Sequence, residues 1–221
     1  MKKTAIILGA TGLTGSILLK KLLKDPVYEK IKLFSRSTAD MNSPKIEEHL
    51  IDMFQLENHS EAFKADVVFC CIGTTKSKTP DKETYKKIDY GIPVTAAKLA
   101  KQNGIETFIV ISAMGADENS SIFYNKTKGE MQRDVLKQQI KNTYILQPSL
   151  IAGDRDENRL GEKIATFFMK IFGFLMPKKY KMIKADTIAE AMQVLEKQGF
   201  SKKQITSNEI KQIAQNAGNR T

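Results

Sequence analysis

Residues Thr4-Ala5-Ile6-Ile7-Leu8 run without interruption into Gly9-Ala10-Thr11-Gly12-Leu13-Thr14-Gly15, and Ile17-Leu18-Leu19 and Leu22-Leu23 follow at helical spacing. A β-rich apolar run, a glycine turn and an amphipathic helix in that order leave few folds open, because the strand must pass straight into the helix through a loop with few bulky side chains. Glycine permits backbone conformations closed to other residues, and its missing side chain lets a pyrophosphate reach the amide groups at a helix N-terminus. The expected ligand is therefore a dinucleotide, held by Gly9, Thr11, Gly12, Leu13, Thr14 and Gly15. The competing reading is a glycine-rich turn with no ligand.

Beyond that unit, apolar strand-like runs alternate with helical patterns. Ile31-Lys32-Leu33-Phe34 and a weaker candidate around His49-Leu50-Ile51 come first, then Val67 to Ile72, then a long helix over about 82–102. Thr107 to Ile111, a helix over about 123–139 and Thr143 to Leu146 complete the series. Such alternation predicts an α/β fold, a Rossmann-type doubly wound parallel sheet with helices on both faces and the ligand across the carboxyl ends of the strands. In the last third strand signals fade, and a small, mostly helical substrate region is expected. One of its helices begins near Asp186, read as its cap, and carries Ile188, Met192 and Leu195. The 221 residues suit a single NAD(P)-binding domain, 1–221, with a dinucleotide-binding core over 1–150 and a C-terminal substrate or lid region over 151–221.

Composition narrows the function classes. The opening Met-Lys-Lys-Thr stops being apolar at the glycine turn, so no secretory signal is expected, and the apolar stretch Ile164 to Met176 is broken by Lys170 and too short to span a bilayer. The expectation is a soluble, cytoplasmic protein without integral membrane association. Cys70 and Cys71 are the two cysteines, adjacent at the end of an apolar run, which excludes a disulfide framework and favours strand residues over a metal or redox site; no metal is expected. His49 and His59 are assigned no role. The net charge of +10 comes from dispersed lysines without a recognisable nucleic-acid module, so a solvated surface is preferred to nucleic-acid binding.

The second strand ends in Leu33-Phe34-Ser35-Arg36-Ser37, where many NAD-binding proteins carry an acidic residue for the adenosine ribose hydroxyls. Here Arg36 can pair with a 2′-phosphate, with Ser35 and Ser37 as further donors, which points to NADP(H) as cofactor. An exposed loop arginine is the alternative. Asp52, just past the third strand candidate, is placed to accept from the adenine amino group.

A second constellation consists of Ser112 at the end of a strand and Tyr124-Asn125-Lys126-Thr127-Lys128 opening a helix, in which Tyr124 and Lys128 share one face. A phenol titrates near ~10, and a neighbouring ammonium lowers that value. Tyr124 can then exchange a proton with a carbonyl or alcohol oxygen that Ser112 also hydrogen-bonds, while Lys128 holds the nicotinamide ribose. The spacing alone does not decide, because Tyr28 with Lys32 and Tyr180 with Lys184 repeat it. Position does: only Tyr124 follows the strand expected beside the nicotinamide, and an exposed helical pair is the competing reading.

The glycine loop, Ser112, Tyr124 and Lys128 resemble the dinucleotide loop and the serine, tyrosine and lysine of the short-chain dehydrogenase/reductase superfamily, in its atypical branch. Phe69 to Thr75, Ser112 to Asp117, Tyr124 to Glu130, Gln147 to Leu150 and Asp154 to Glu162 are similar to motifs of the Tat-interacting-protein-like oxidoreductases, over residues 4 to about 175. The resemblance implies a Rossmann-type domain binding NADPH, with Cys71, Ile72, Gly73, Thr74 and Thr75 in the loop near the ribose and nicotinamide, and Pro148, Ser149, Leu150 and Ile151 lining the nicotinamide pocket. The asparagine that other branches use for proton relay has no match.

Two classes of function follow. One is an NADP(H)-dependent oxidoreductase acting on a small-molecule carbonyl or alcohol through Ser112, Tyr124 and Lys128. The other is a cofactor-binding sensor or regulatory module with a protein partner. The charged run Asp154 to Glu162 is read as a solvated loop that, by resemblance, borders the cleft, and the aromatic segment 167–176 as core, pocket wall or docking surface, in that order.

Overall fold

The computed structural model describes residues 2–152 and 182–218. Seven strands form one parallel sheet: β1 (Lys3–Leu8), β2 (Tyr28–Ser35), β3 (Ile46–Leu50), β4 (Val67–Cys70), β5 (Thr107–Ile111), β6 (Asn142–Gln147) and β9 (Gln204–Thr206). They lie in the order β3-β2-β1-β4-β5-β6-β9. The chain builds outward from β1 through β2 to β3, then crosses back to place β4 on the other side of β1. That reversal opens a crevice at the carboxyl ends of β1 and β4, where open α/β sheets bind ligands. Two short strands, β7 (Ile151–Ala152) and β8 (Ile183–Lys184), pair in parallel to form a second small sheet.

Successive strand residues point to opposite faces, and both faces are covered. Ala5 and Ile7 pack on one side with Leu18, Leu19 and Leu22 of α1 (Leu13–Lys24) and Ile188, Met192 and Leu195 of α5 (Ala185–Gln198). Ile6 and Leu8 pack on the other with Ala96 and Ala97 of α3 (Ile92–Gln102) and Met131 and Val135 of α4 (Phe123–Leu136). This two-sided burial is why the strands read as nearly continuous apolar runs.

Three local features differ from the sequence reading. The helix expected over about 82–102 is broken into α2 (Lys82–Lys86), a π turn over Lys87–Gly91, and α3. Pro93 sits at the start of α3 and has no N–H, while the Ile92 N–H reaches back to the Lys87 carbonyl, so the wider turn absorbs a missing donor. Helix α5 starts at Ala185, with Lys184 at its cap position and no side-chain cap; Asp186 lies in the first turn and pairs with Lys21 instead of capping. The C-terminal third also supplies β9 to the main sheet, followed by α6 (Ser207–Gly218); at three residues β9 is too short to show alternation.

Helix α4 lies hard against the loop before it. A Cβ on Gly129 would overlap the backbone of Asp117 and Glu118, and the Asp117 N–H donates to the Asn125 carbonyl at 3.0 Å. This contact sets where the side chains of α4 stand. Gly129→Ala is expected to cost about 1–3 kcal/mol through overpacking, read as a lower denaturation midpoint with an unchanged slope in urea unfolding.

Candidate active site

At the end of β1, Gly9 adopts φ +84° and its absent side chain leaves room for the Cys71 carbonyl, which a Cβ would meet at 2.9 Å. The Gly12 N–H donates back to the Gly9 carbonyl at 3.0 Å, and a Cβ on Gly15 would collide with that same carbonyl. Strand, loop and helix therefore meet at backbone distance. Gly12 caps α1 without a side chain, and the first turn holds no acidic residue, so the positive end of the helix faces the crevice without a counter-charge. Thr11, Gly12 and Leu13 are exposed there, and Thr14 and Gly15 are buried beneath.

At the end of β2, the buried Ser35 hydroxyl donates to the Ser37 carbonyl at 2.7 Å, so it shapes the turn. Arg36 is exposed and has no hydrogen bond or ion pair among the described residues, and Ser37 is exposed beside it. Asp52 accepts from the Phe54 N–H at 2.9 Å and so caps the short 3-10 helix Met53–His59.

At the end of β4, the Cys71 N–H donates to the Leu8 carbonyl at 2.9 Å, drawing the following loop against the glycine turn. In that loop the Thr74 N–H donates to Asp89 Oδ2 at 2.8 Å, and Tyr85 donates its hydroxyl to the Thr74 carbonyl at 3.3 Å. Thr75 accepts at its carbonyl from the Lys78 and Thr79 N–H groups. Ile72 packs against the α3 and α4 core. Burial pushes the Cys70 thiol up to about 12 and that of Cys71, just past the strand, higher still, which suits inert thiols.

The sequence pattern does not single out Asp89. It is 1% exposed, on the π turn, with Lys128 Nζ 2.7 Å from its Oδ1 as an ion pair off the hydrogen-bond direction. Oδ1 thus has no hydrogen-bond partner, and a Cβ on Gly73 would lie only 3.7 Å from it and 3.8 Å from Lys128 Nζ. The only advance signal was a single Asp in an otherwise apolar and lysine-rich helix, which periodicity alone cannot distinguish from a solvated charge.

Ser112, at the end of β5, is 4% exposed; its hydroxyl oxygen accepts from Gln132 Nε2 at 2.6 Å. Tyr124 stands in the first turn of α4, 40% exposed, with its ring edge-on to Tyr85 at 6.4 Å between centroids. Lys128 lies one turn further on and is buried. Protein crowding around the Tyr124 phenol pushes it above its ordinary value, Lys128 pulls it down, and Asp89 pushes it up again. The net direction is upward, so the lowering expected from Lys128 alone is offset by the protein crowded around the phenol and by Asp89. The rival Tyr28 and Lys32 lie in β2, not on a helix, and Tyr28 donates its hydroxyl to Glu196 at 2.7 Å.

After β6, the Pro148 carbonyl accepts from the Met114 N–H at 2.9 Å and the Leu150 carbonyl from the Ile183 N–H at 2.9 Å; Ser149 shares a hydrogen bond with Ser207 at 3.0 Å. Ile151 pairs with Ile183 in the small sheet. Asp154 to Glu162, the aromatic segment 167–176 and Tyr180 lie outside the described residues.

A family model described as NAD(P)H-binding matches residues 9–163, spanning the glycine loop, the Asp89 turn and α4. The chain belongs to the NAD(P)H-binding family. Its relatives place it in the Tat-interacting-protein-like, atypical branch of the short-chain dehydrogenase/reductases. It is 39% identical over 168 residues to protein FMP52, mitochondrial, of Candida albicans, covering 73% of each chain. It is 33% identical over 177 residues to protein HTATIP2 of Rattus norvegicus, covering 78% of this chain and 72% of that one. Among solved structures, gox2253 superposes with TM-score 0.70 at 20% identity, over 97% of this chain and 75% of that one. The Bordetella bronchiseptica enzyme WbmG in complex with NAD superposes with TM-score 0.69 at 13% identity, over 99% and 79%. These two likenesses show the Rossmann-type fold.

The expected cytoplasmic location is corrected by the relatives, several of which carry the name mitochondrial. The expectation rested on composition and the lack of a secretory pattern, but a cellular address is read by receptors and is not a property of such a fold. No helix among the described residues is long and apolar enough to cross a membrane.

Asp89→Asn removes the charge that opposes a Tyr124 phenolate while keeping an acceptor for the Thr74 N–H. The Tyr124 phenol is then expected to titrate at lower pH than in the parent protein. Tyrosinate absorbance, taken as the difference between each protein and its Tyr124→Phe counterpart, measures this; a midpoint that stays or rises contradicts it.

Proposed function

We propose that the chain is an NADP(H)-dependent oxidoreductase that reduces a carbonyl or, in reverse, oxidises an alcohol. The observation that carries this reading is the buried Asp89–Lys128 pair beneath Gly73, one helical turn from Tyr124 and at the same strand ends as the glycine loop. The residues fit a dinucleotide: Gly9 and Gly15 leave a cradle that a Cβ would fill, the α1 N-terminus lacks a counter-charge, and Asp89 keeps an unused acceptor. A buried ion pair costs desolvation energy and is weak evidence for stability, which favours a functional reason for it.

Gly9, Thr11, Gly12, Leu13, Thr14 and Gly15 hold the pyrophosphate, with Asp52 at the adenine end. Arg36, with Ser37 beside it, receives a 2′-phosphate, and its lack of a carboxylate partner among the described residues supports this. Lys128 keeps ammonium donors for the nicotinamide ribose, near Cys71 to Thr75 and Pro148 to Ile151. The hydride for the carbonyl carbon would come from a nicotinamide held by these residues. Tyr124 gives its phenolic proton to the carbonyl oxygen, which Ser112 orients by donating its own O–H, so one hydride and one proton yield the alcohol. Residues 151–221 form the substrate region, tied to the core by the pairing of β9 with β6.

The raised Tyr124 phenol supports a second reading, a cofactor-binding sensor whose nucleotide state alters binding to a protein partner. Tyr124→Phe separates the two. As an oxidoreductase the protein loses turnover of a probe carbonyl, phenanthrenequinone, by about 100-fold or more, with NADPH binding retained; as a sensor it has no turnover to lose.

Calorimetric titration tests the cofactor. NADPH is expected to bind in preference to NADH, and Arg36→Ala to weaken NADPH by roughly tenfold to 100-fold, the worth of a charge-assisted hydrogen bond, with NADH unaffected. Equal loss for both nucleotides, or a parent preference for NADH, overturns the assignment of Arg36.

A further inference from the structure

We propose that Gln132 is a positioning residue that turns the Ser112 hydroxyl proton toward the cleft, and that Gln147 and Gln204 hold its amide in the orientation that does so. The inference rests on the oxidoreductase reading above and deepens it. Tyr124, Lys128 and Gln132 recur every four residues along α4, so they share one face of the helix. The first two carry the proton and the charge; the third ends on Ser112.

Gln132 is 3% exposed and Ser112 4%, so each of their polar atoms needs a partner. Gln132 Nε2 donates to Ser112 Oγ at 2.6 Å. Gln132 Oε1 accepts from Gln147 Nε2 at 3.0 Å and from Gln204 Nε2 at 3.2 Å. Two N–H groups on the oxygen leave the other end of the amide to face the serine as a donor. An oxygen that accepts from Gln132 cannot send its own proton back along the same line, and no acceptor for the Ser112 O–H exists among the described residues. A buried hydroxyl is thus left with a free donor at the end of β5.

The direction of the chain carries a chemical consequence. Donation runs from Gln147 and Gln204 through the Gln132 amide to Ser112 and out to the substrate oxygen, and bonds aligned in one sense polarise one another. Ser112 becomes a stronger donor to the oxygen on which negative charge grows during hydride arrival. With the opposite amide orientation, Ser112 would donate to Gln132 and present only lone pairs to that oxygen, which repels the developing charge. The three glutamines come from α4, β6 and β9, so the last strand of the sheet helps set a proton position at the centre of the cleft.

Gln132→Glu tests this with little change of shape. The carboxylate still accepts from Gln147 and Gln204, but it offers Ser112 no N–H and takes the serine proton for itself. With phenanthrenequinone and NADPH, kcat is expected to fall about tenfold or more at neutral and alkaline pH, with partial recovery in acid, where the protonated carboxyl donates to Ser112 again. The KM for NADPH is expected to hold. A kcat within about twofold of the parent, with an unchanged pH profile, overturns the proposal. An arm independent of turnover uses the side-chain amide NMR signals, with those of Gln132 identified by their absence in Gln132→Glu. In Ser112→Ala the Gln132 signals are expected to move upfield, and by more than those of Gln147 and Gln204; unmoved Gln132 signals mean that the amide does not donate to the serine, and the proposal falls. If the parent protein turns over no quinone while the amide shift is present, the oxidoreductase reading fails and the hydroxyl orientation stands.

Discussion

Everything in the crevice depends on three backbone segments meeting without side chains between them. The end of β1, the start of α1 and the end of β4 come together at Gly9, Gly15 and Cys71, where a Cβ on Gly15 would collide with the Gly9 carbonyl. If α1 stood further out, its uncapped N-terminus would no longer face the strand ends, and the loop after Cys71 would not close against the glycine turn. The packing on both sheet faces follows the same placement, because Leu18, Leu19 and Leu22 reach the core only when the helix lies this close. Packing and ligand access are thus met by the same missing atoms.

The second constraint is electrostatic. Burying Lys128 without a partner would be prohibitive, and Asp89 supplies one from a turn that is locally widened ahead of Pro93. The pair does not silence the site. It leaves Asp89 Oδ1 without a hydrogen-bond donor, keeps a cation beneath the loop carrying Gly73 and Thr74, and opposes the effect of that cation on the Tyr124 phenol.

Helix α4 joins these two systems. Its Gly129 allows close approach to the Asp117–Glu118 backbone, which brings one helical face carrying Tyr124, Lys128 and Gln132 to the strand ends. Along that face the chemistry passes from an exposed phenol, through a buried ion pair, to a buried amide network on Ser112. Exposure falls toward the sheet, which fits an open substrate side and a fixed, dry supporting side.

The sequence by itself determined the fold class, because a strand running into a glycine turn and apolar runs alternating with helical patterns depend only on local periodicity and backbone freedom. It also marked the glycine loop, Ser112, Tyr124 and Lys128, since those residue types fall at strand ends or at helical spacing. Only the tertiary structure decided that Tyr28 is a strand residue bonded to Glu196, that Asp89 faces Lys128, and that Gln132, Gln147 and Gln204 converge behind Ser112. Each of these joins residues far apart in the chain, 39 positions for Asp89 and Lys128 and 72 for Gln132 and Gln204. A solvated charge and a buried one look alike in sequence, and an amide shows its donor end only through what surrounds it.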